Sequence, residues 1–276
     1  MTIVKVSSVQ FAYKPIKNFE DFASNVENLL DQAKGSHFIV FPETFTLELQ
    51  YLIPDYNIGK IHEFTDQYIE LFIDLSKKKN QYIIAGSHLI QKNEKTYNRS
   101  FLFCPDGNHF KHDKTHLFPL EAKMGVTPGN NLEIFETDNV KVGIATCYEM
   151  EFPEVIRTLT LKGAEIIFSP SYTVDEHGFW RVRHCSQARA VENQIYVVHS
   201  CLVGTPPISD MMTGWGKASI LSPCEEPWPS NGIIAEARVN EEMVVTGELD
   251  LKLLHKKRKR GTATTLKDRR PDLYKI

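Results

Sequence analysis

The sequence predicts a layered α/β fold in a single domain. Short apolar segments rich in Val, Ile and Phe alternate along the chain with segments whose apolar residues recur every three or four positions. The first pattern is typical of buried strands and the second of helices, and their alternation with short links favours sheets covered by helices. The 276 residues contain no low-complexity linker and no break in composition, and this length is sufficient for one large domain.

The first half of the chain opens with a Val- and Ile-rich strand over residues 3–11. A helix is predicted over 18–35, because apolar residues such as Phe22 and Val26 recur at helical steps and Gly35 suits the position after a helix C-terminus. The elements that follow are, in order, a strand at 37–41, a helix at 65–79, a strand at 82–85 and its partner strand at 100–104.

The second half contains a strand over 140–146, with the sequence VKVGIAT, that ends at Cys147. A helix is predicted over 153–161, because Pro153 suits the first turn of a helix and Gly163 its end. The remaining elements are, in order, a strand at 165–169, a helix at 180–193, a strand at 195–200 and hairpin strands at 216–221, 232–239 and 243–249.

Composition and charge exclude several classes of protein. The formal charge of −3, from 35 acidic and 32 basic side chains, argues against a globally basic nucleic-acid binder. No stretch approaches the ~20 apolar residues of a membrane helix, and the first residues lack the pattern of a signal peptide. We therefore expect a cytoplasmic protein with neither a nucleic-acid nor a membrane partner.

The chain from Leu251 onward is polar and basic and includes the run HKKRKR at 255–260. Six basic residues in a net acidic chain are weak evidence for nucleic-acid binding. We expect this segment to extend away from the core, where it is solvated or pairs with acidic surface of a partner subunit.

The cysteines form an odd and sparse set without CxxC spacing, so they indicate neither a disulfide framework nor a zinc site. At least one of them is therefore free to react. Their positions are Cys104, Cys147, Cys185, Cys201 and Cys224.

Three side chains capable of chemistry follow apolar strand-like segments: Glu43, Lys114 and Cys147. Strand ends in α/β sheets face the crevice where ligands bind, and a charged group there lies beside an apolar core that can tune its pKa. A thiolate is a strong nucleophile, a carboxylate can act as its base, and an ammonium group can stabilise an oxyanion. Considered alone, each also has a structural interpretation, as a buried cysteine, a capping carboxylate or a solvated lysine.

Together these regions resemble the nitrilase (carbon–nitrogen hydrolase) superfamily. The motifs that carry the resemblance are FPETF around Glu43, KTHLFPLE around Lys114 and CYEMEFPE around Cys147, in the order Glu, Lys, Cys of that family. YNRSFLFCPDG between the first two motifs and RRPDLYKI near the end extend the resemblance along the whole chain.

The resemblance implies a four-layer αββα sandwich in which two layers of sheet are flanked by helices. It also implies that pairs of subunits join as αββααββα, so that a homodimer or higher homo-oligomer is expected. Residues 1–250 would then form the carbon–nitrogen hydrolase domain, and 251–276 a C-terminal extension that packs at a subunit interface.

The resemblance also implies a mechanism without a metal or organic cofactor. Glu43 would accept the thiol proton, Cys147 would attack an amide carbon, and Lys114 would stabilise the oxyanion together with the backbone amide of Tyr148. Glu121 matches the second glutamate of the family site. The candidates for substrate binding are Tyr172, Thr173 and Arg181.

The substrate class stays open between alternatives. A small linear amide that is cleaved through a thioester, with release of ammonia or amine, is the leading hypothesis. An N-carbamoyl hydrolase, a nitrilase and a catalytically silent binding protein are the others. Glu151 stands where the amidase branch often has an arginine, so Glu149 and Glu151 either favour a cationic or neutral substrate over a dicarboxylate, or face solvent or pair with Arg157.

Overall fold

The computed structural model describes residues 3–138, 140–207 and 212–274. Its helices, numbered in chain order, are α1 (Phe19–Gln32), α2 (Thr65–Lys79), α3 (Pro119–Lys123), α4 (Pro153–Leu161), α5 (Glu176–Asn193) and α6 (Leu251–Arg260). Short 3-10 segments cover Phe45–Leu52, Pro54–Tyr56, Ile58–Phe64 and Cys147–Glu151. None of the helices in this part of the chain is long and apolar enough to cross a membrane.

The strands form one continuous sheet with the order β5-β4-β3-β2-β1-β9-β8-β7-β6, to which β10 adds beside β9, β11 beside β10 and β12 beside β1. Their bounds are β1 (Ile3–Ala12), β2 (Phe38–Val40), β3 (Tyr82–Lys92), β4 (Lys95–Phe103), β5 (His109–Asp113), β6 (Ile134–Glu136), β7 (Lys141–Ile144), β8 (Ile166–Ser171), β9 (Tyr196–Val203), β10 (Ser219–Leu221), β11 (Ile233–Glu236) and β12 (Met243–Asp250).

The sheet consists of two halves that meet at a short parallel contact between β1 and β9. This contact spans only the pairs from Gln10–Cys201 to Ala12–Val203, whereas β12 runs antiparallel along most of β1. Within the halves, β1, β2 and β3 are parallel to one another, as are β7, β8 and β9. The parallel strands require crossover connections, and α1, α2, α4 and α5 lie in them.

The two halves face each other across an apolar core. Phe38 of β2 stacks on Phe168 of β8 with 5.5 Å between ring centroids, and both rings are fully buried. A second core lies between the first half and helices α1 and α2, and a third lies between the second half and helices α4 and α5. The order of layers is therefore helix, sheet, sheet, helix, which confirms the predicted αββα sandwich.

Local capping explains where several helices begin. The side chain of Asn18 accepts from the Asp21 amide at 2.8 Å, so α1 starts directly after it. The side chain of Asp175 accepts from the Gly178 amide at 2.5 Å, which sets the start of α5 before the predicted position at 180. Helices α2 and α4 have the predicted bounds.

The expectation that the chain from Leu251 onward extends away from the core is wrong. Helix α6 places Leu251 and Leu254 on one face, three positions apart, and both are buried against the sheet core. The segment after it also contacts α5, where the Thr265 hydroxyl donates to the Val191 carbonyl oxygen at 3.1 Å. The domain boundary at 250 and the location of 251–276 at a subunit interface stay predictions.

The predicted hairpin arrangement is correct for β10 and β11 and wrong for β12. Strands β10 and β11 pair antiparallel, but β12 pairs with β1 instead of extending the hairpin. A strand of alternating apolar residues can use either partner, and β1 offers a buried edge that runs along the full length of β12.

Replacement of a leucine in the core between the sheets tests this layer order. Leu102→Ala should lower the free energy of unfolding by about 2–5 kcal/mol, because the side chain is fully buried between the two halves and its removal leaves a cavity. The matched control is Leu161→Ala, at a position 54% exposed on α4, which should change stability by no more than about 0.5 kcal/mol. Equal losses in chemical denaturation would contradict the assignment of Leu102 to the core.

Candidate active site

Glu43 lies three residues beyond the end of β2, on a loop pressed against β3. Gly86 makes this approach possible: it has a φ of +59°, and a Cβ built on it would lie 2.0 Å from the carbonyl oxygen of Pro42. The loop is also held by Ser87 of β3, whose hydroxyl accepts from the Thr44 amide at 2.9 Å. The Glu43 carboxylate is therefore fixed inside the protein, where it is 4% exposed.

Cys147 occupies a tight turn between β7 and α4. Its φ of +49° lies in the left-handed region, which is rare for a residue with a side chain and is typical of strained functional sites. The thiol donates to the carbonyl oxygen of Tyr172 at 3.5 Å, and the amide of the same residue donates to Glu43 Oε2 at 3.1 Å, so the sulfur lies beside the buried carboxylate. The turn thus directs the sulfur toward the buried base.

Lys114 follows β5 and is the central cation of the site. Its Nζ donates to Glu43 Oε1 at 2.7 Å and to Glu121 Oε2 at 2.5 Å. The side chain is 1% exposed, so the ammonium group is desolvated and these carboxylates compensate for the lost water. Glu121 lies on the short helix α3, where its Oε2 also accepts from the Phe118 amide at 2.8 Å.

Asn98 is a site residue that our interpretation of the sequence missed. Its Nδ2 donates to Glu43 Oε1 at 2.9 Å and to Glu121 Oε1 at 2.7 Å, so it links the two carboxylates. The available signal was its location inside the YNRSFLF strand segment, where a buried amide requires polar partners.

Burial and the neighbouring charges shift the ionisation of the three groups. Burial raises the pKa of Glu43, against the opposing effect of Lys114. Burial also raises the pKa of the Cys147 thiol, and Glu43 raises it further, so the thiol carries its proton at neutral pH. Although burial disfavours the charged form of Lys114, Glu43 and Glu121 together hold its pKa above the ordinary value. The arrangement is that of a protonated thiol beside a base and a permanent cation.

The predicted site residues all line one cleft: Glu43, Lys114, Glu121, Cys147, Tyr148, Tyr172, Thr173 and Arg181. Tyr172 contributes through its backbone, because its amide donates to Glu43 Oε2 at 3.1 Å. The Thr173 hydroxyl donates to the Trp215 carbonyl oxygen at 2.8 Å. Arg181 lies at the rim, with its side chain 53% exposed. Among the described residues, no group of three or more His, Cys, Asp or Glu side chains could hold a metal ion.

Glu149 has a different role from either interpretation of the sequence. It is fully buried, and its carboxylate accepts from the Thr146 amide at 2.7 Å, from His112 Nε2 at 2.8 Å and from the amide and hydroxyl of Thr115 at 2.8 and 2.6 Å. It neither faces solvent nor pairs with Arg157, and it lies outside the lining of the cleft. Its hydrogen bonds, which we call the Glu149 network, instead join Thr146, the residue before Cys147, to Thr115, the residue after Lys114.

Glu151, in contrast, does line the cleft. Its Oε2 lies 3.6 Å from Nε of Arg181, and its side chain is 19% exposed. Burial raises the pKa of this carboxyl, and Arg181 opposes the shift.

Comparison with known proteins identifies the class to which this fold and cleft belong. The family model described as carbon–nitrogen hydrolase matches residues 5–259. The chain belongs to this family of the nitrilase superfamily.

Individual relatives agree with this assignment. The chain is 43% identical over 281 residues to a probable hydrolase, YhcX, of Bacillus subtilis (strain 168), an alignment that covers 99% of this chain and 55% of that protein. The chain thus spans about half the length of this relative. It is 28% identical to omega-amidase NIT2-A of Xenopus laevis, over 100% of this chain and 98% of that protein. A solved carbon–nitrogen hydrolase of Helicobacter pylori G27 shares the fold with a TM-score of 0.81 at 22% identity, over 99% of this chain and 97% of that one.

Glu149→Gln should weaken the protein most between pH 4.5 and 6.5. The folded protein lowers the pKa of Glu149 from 4.5 to about 2, because its hydrogen bonds and the charge of His112 outweigh the effect of burial. The contribution of the ionised Glu149 carboxylate to the free energy of unfolding is complete above pH 4.5 and is lost as the pH falls toward 2. The pKa of His112 is raised above 6.5 by Glu149 against the effect of burial, so its contribution is complete below pH 6.5 and is lost as the pH rises through the raised value.

The measurement is the free energy of unfolding of wild type and variant across this pH range. Glu154→Gln, at an exposed position on α4, is the matched control, for which we expect no such maximum. A Glu149→Gln difference that does not vary with pH would contradict the charged state assigned to the pair.

Proposed function

We propose that this protein hydrolyses the C–N bond of a small linear amide through a thioester on Cys147, with release of ammonia or amine. The observation that carries the proposal is the contact of one buried ammonium group, Lys114, with both Glu43 and Glu121, in the same cleft as the Cys147 thiol. A base, a nucleophile and a cation for the oxyanion are thereby present within one cleft.

In the first half-reaction, Glu43 accepts the thiol proton as Cys147 Sγ forms a bond to the amide carbon. The carbonyl oxygen becomes an oxyanion, which Lys114 and the backbone amide of Tyr148 stabilise. This amide lies in the first turn of the Cys147–Glu151 segment, where backbone N–H groups have no acceptor within the helix. Collapse of the intermediate breaks the C–N bond, and Glu43 gives its proton to the departing nitrogen.

In the second half-reaction, Glu43 accepts a proton from a water molecule that attacks the thioester carbon. The same donors stabilise the second oxyanion. When the C–S bond breaks, the sulfur receives the proton from Glu43, and the carboxylic acid product leaves. The raised pKa of Glu43 supports this cycle, because a carboxyl group must both accept and return a proton near neutral pH.

Glu121 and Asn98 act as positioning residues in this proposal. Glu121 shares the ammonium group of Lys114 with Glu43, and Asn98 fixes one oxygen of each carboxylate. A cation held by two carboxylates stays charged throughout the cycle, so Lys114 serves as an electrostatic group and does not transfer a proton.

Tyr172, Thr173 and Arg181 are the proposed substrate-binding residues, since they line the cleft on the side of β8 and α5. N-carbamoyl compounds and nitriles require the same nucleophile and base, so they belong in the same substrate panel. The homodimeric assembly and the cytoplasmic location stay expectations from the sequence.

Cys147→Ala should abolish ammonia release from every substrate that wild type hydrolyses. The panel contains linear amides, N-carbamoyl compounds and nitriles, with ammonia measured directly. Cys185→Ala is the matched control, because this partly buried thiol on α5 lies outside the cleft lining and its loss should leave turnover intact. Equal background release by wild type and Cys147→Ala on all substrates, together with tight binding of a ligand, would favour a catalytically silent binding protein.

Glu43→Gln should slow both half-reactions. A neutral amide at this position can accept a proton neither from the thiol nor from water, so any thioester that forms on Cys147 should persist and add the mass of the acyl group in intact-protein mass spectrometry. Turnover should fall by at least about 10²-fold, the range for loss of a positioned base. An acyl adduct located on Cys185 would contradict the assignment of the nucleophile, and normal turnover would contradict that of the base.

A further inference from the structure

One carboxylate in the cleft has no assigned task in the proposed reaction. Glu43 and Glu121 bind Lys114, and Asp175 caps α5 through the Gly178 amide. Glu151 has Arg181 as its charged neighbour among the described residues, at an Nε–Oε2 separation of 3.6 Å, which is longer than a normal hydrogen bond.

The two members of this pair differ in exposure. The Glu151 side chain is 19% exposed, whereas that of Arg181 is 53% exposed. A partly desolvated carboxylate with a distant partner gains more from a new donor than a hydrated cation gains from a new acceptor. Within the cleft, Glu151 is thus the charged group that a ligand would stabilise most.

The side chains that line the cleft also carry a net negative charge, which favours a cationic ligand. Four carboxylates line the cleft, those of Glu43, Glu121, Glu151 and Asp175, against two cations, Lys114 and Arg181. Lys114 is already shared by two of the carboxylates. A substrate whose only charge is negative would enter an acidic cleft, whereas a cationic group would be attracted to it.

We propose that Glu151 selects amides whose acyl chain carries a primary ammonium group. This group would donate to the Glu151 carboxylate while the amide carbon lies at Cys147. Because Arg181 competes with the ammonium group for the same carboxylate, it sets the strength of the preference. The inference rests on the proposed amide hydrolysis and names the substrate class for the same cleft.

The experiment compares three series of primary amides that differ only in the group at the far end of the chain. Each series has two, three or four methylene groups and ends in an ammonium group, a methyl group or a carboxylate. The ratio of kcat/KM for the ammonium amide to that for the methyl amide of equal length isolates the contribution of charge. For wild type we expect a ratio above one at the best length, and the carboxylate amide to be the poorest substrate.

Glu151→Gln should reduce this ratio by roughly 10- to 100-fold, the range for loss of a charge-assisted hydrogen bond. Glu154→Gln removes a carboxylate three residues further along, at an exposed position outside the cleft lining, and should leave the ratio as it is. Arg181→Gln removes the competing cation and should raise the ratio, which tests the inference independently if Glu151→Gln does not fold.

A wild-type ratio of one or less at every length would overturn the inference, as would a ratio that survives Glu151→Gln or does not rise in Arg181→Gln. Turnover of the methyl amides with no ammonium preference would refute only the role of Glu151. If wild type and Cys147→Ala release equal ammonia from all nine compounds, the proposed hydrolysis fails, and the selectivity fails with it.

Discussion

The contact of the buried Lys114 ammonium group with the carboxylates of Glu43 and Glu121 is the interaction on which the site depends. Desolvation of a charge is costly, and the two carboxylates make it tolerable by their short distances to Nζ. In return, the ammonium group lowers the cost of placing two carboxylates side by side. Loss of Lys114 would leave two buried carboxylates without their cation, for which the typical penalty is about 3–5 kcal/mol, whereas loss of one carboxylate leaves the ammonium group paired with the other.

The members of this cluster come from distant parts of the chain, so the scaffold must hold them in register. The Glu43 loop is fixed by its contact with Gly86, and the Cys147 turn is joined to the Lys114 segment by the Glu149 network. These contacts lie behind the cleft and do not line it. The αββα arrangement thus supplies two sheet halves whose strand ends face one cleft, and buried polar contacts fix the side chains within it.

The sequence predicts those site residues that lie in a recognisable pattern of neighbouring residues in the chain. Glu43 and Cys147 each lie three residues beyond the end of an apolar strand, and Lys114 lies in a recognisable motif. Asn98 gives no comparable signal, because its partners are set by the pairing of β4 with its neighbours. The role of Glu149 depends on contact with His112, which is remote in sequence, so charge alone suggested a surface or binding role.

The same distinction applies to the fold. Apolar residues such as Tyr68 and Phe72 predict α2, and Pro153 and Gly163 mark the bounds of α4, whereas α6 was missed because its basic composition outweighs the two leucines that it buries. The partner of β12 could not be predicted either, because alternation identifies a strand and its buried face but not the edge that it joins.

The central location of β1 in the sheet has a consequence for when its neighbouring strands can pair with it during synthesis. This strand contacts β12 along one edge and both β2 and β9 along the other, so its neighbours come from the beginning and the end of the described chain. During synthesis, β1 leaves the ribosome long before β9 and β12 exist, and pairing across such sequence separations slows folding. The apolar face and open edge of the first half therefore stay accessible to chaperones until the last strand emerges.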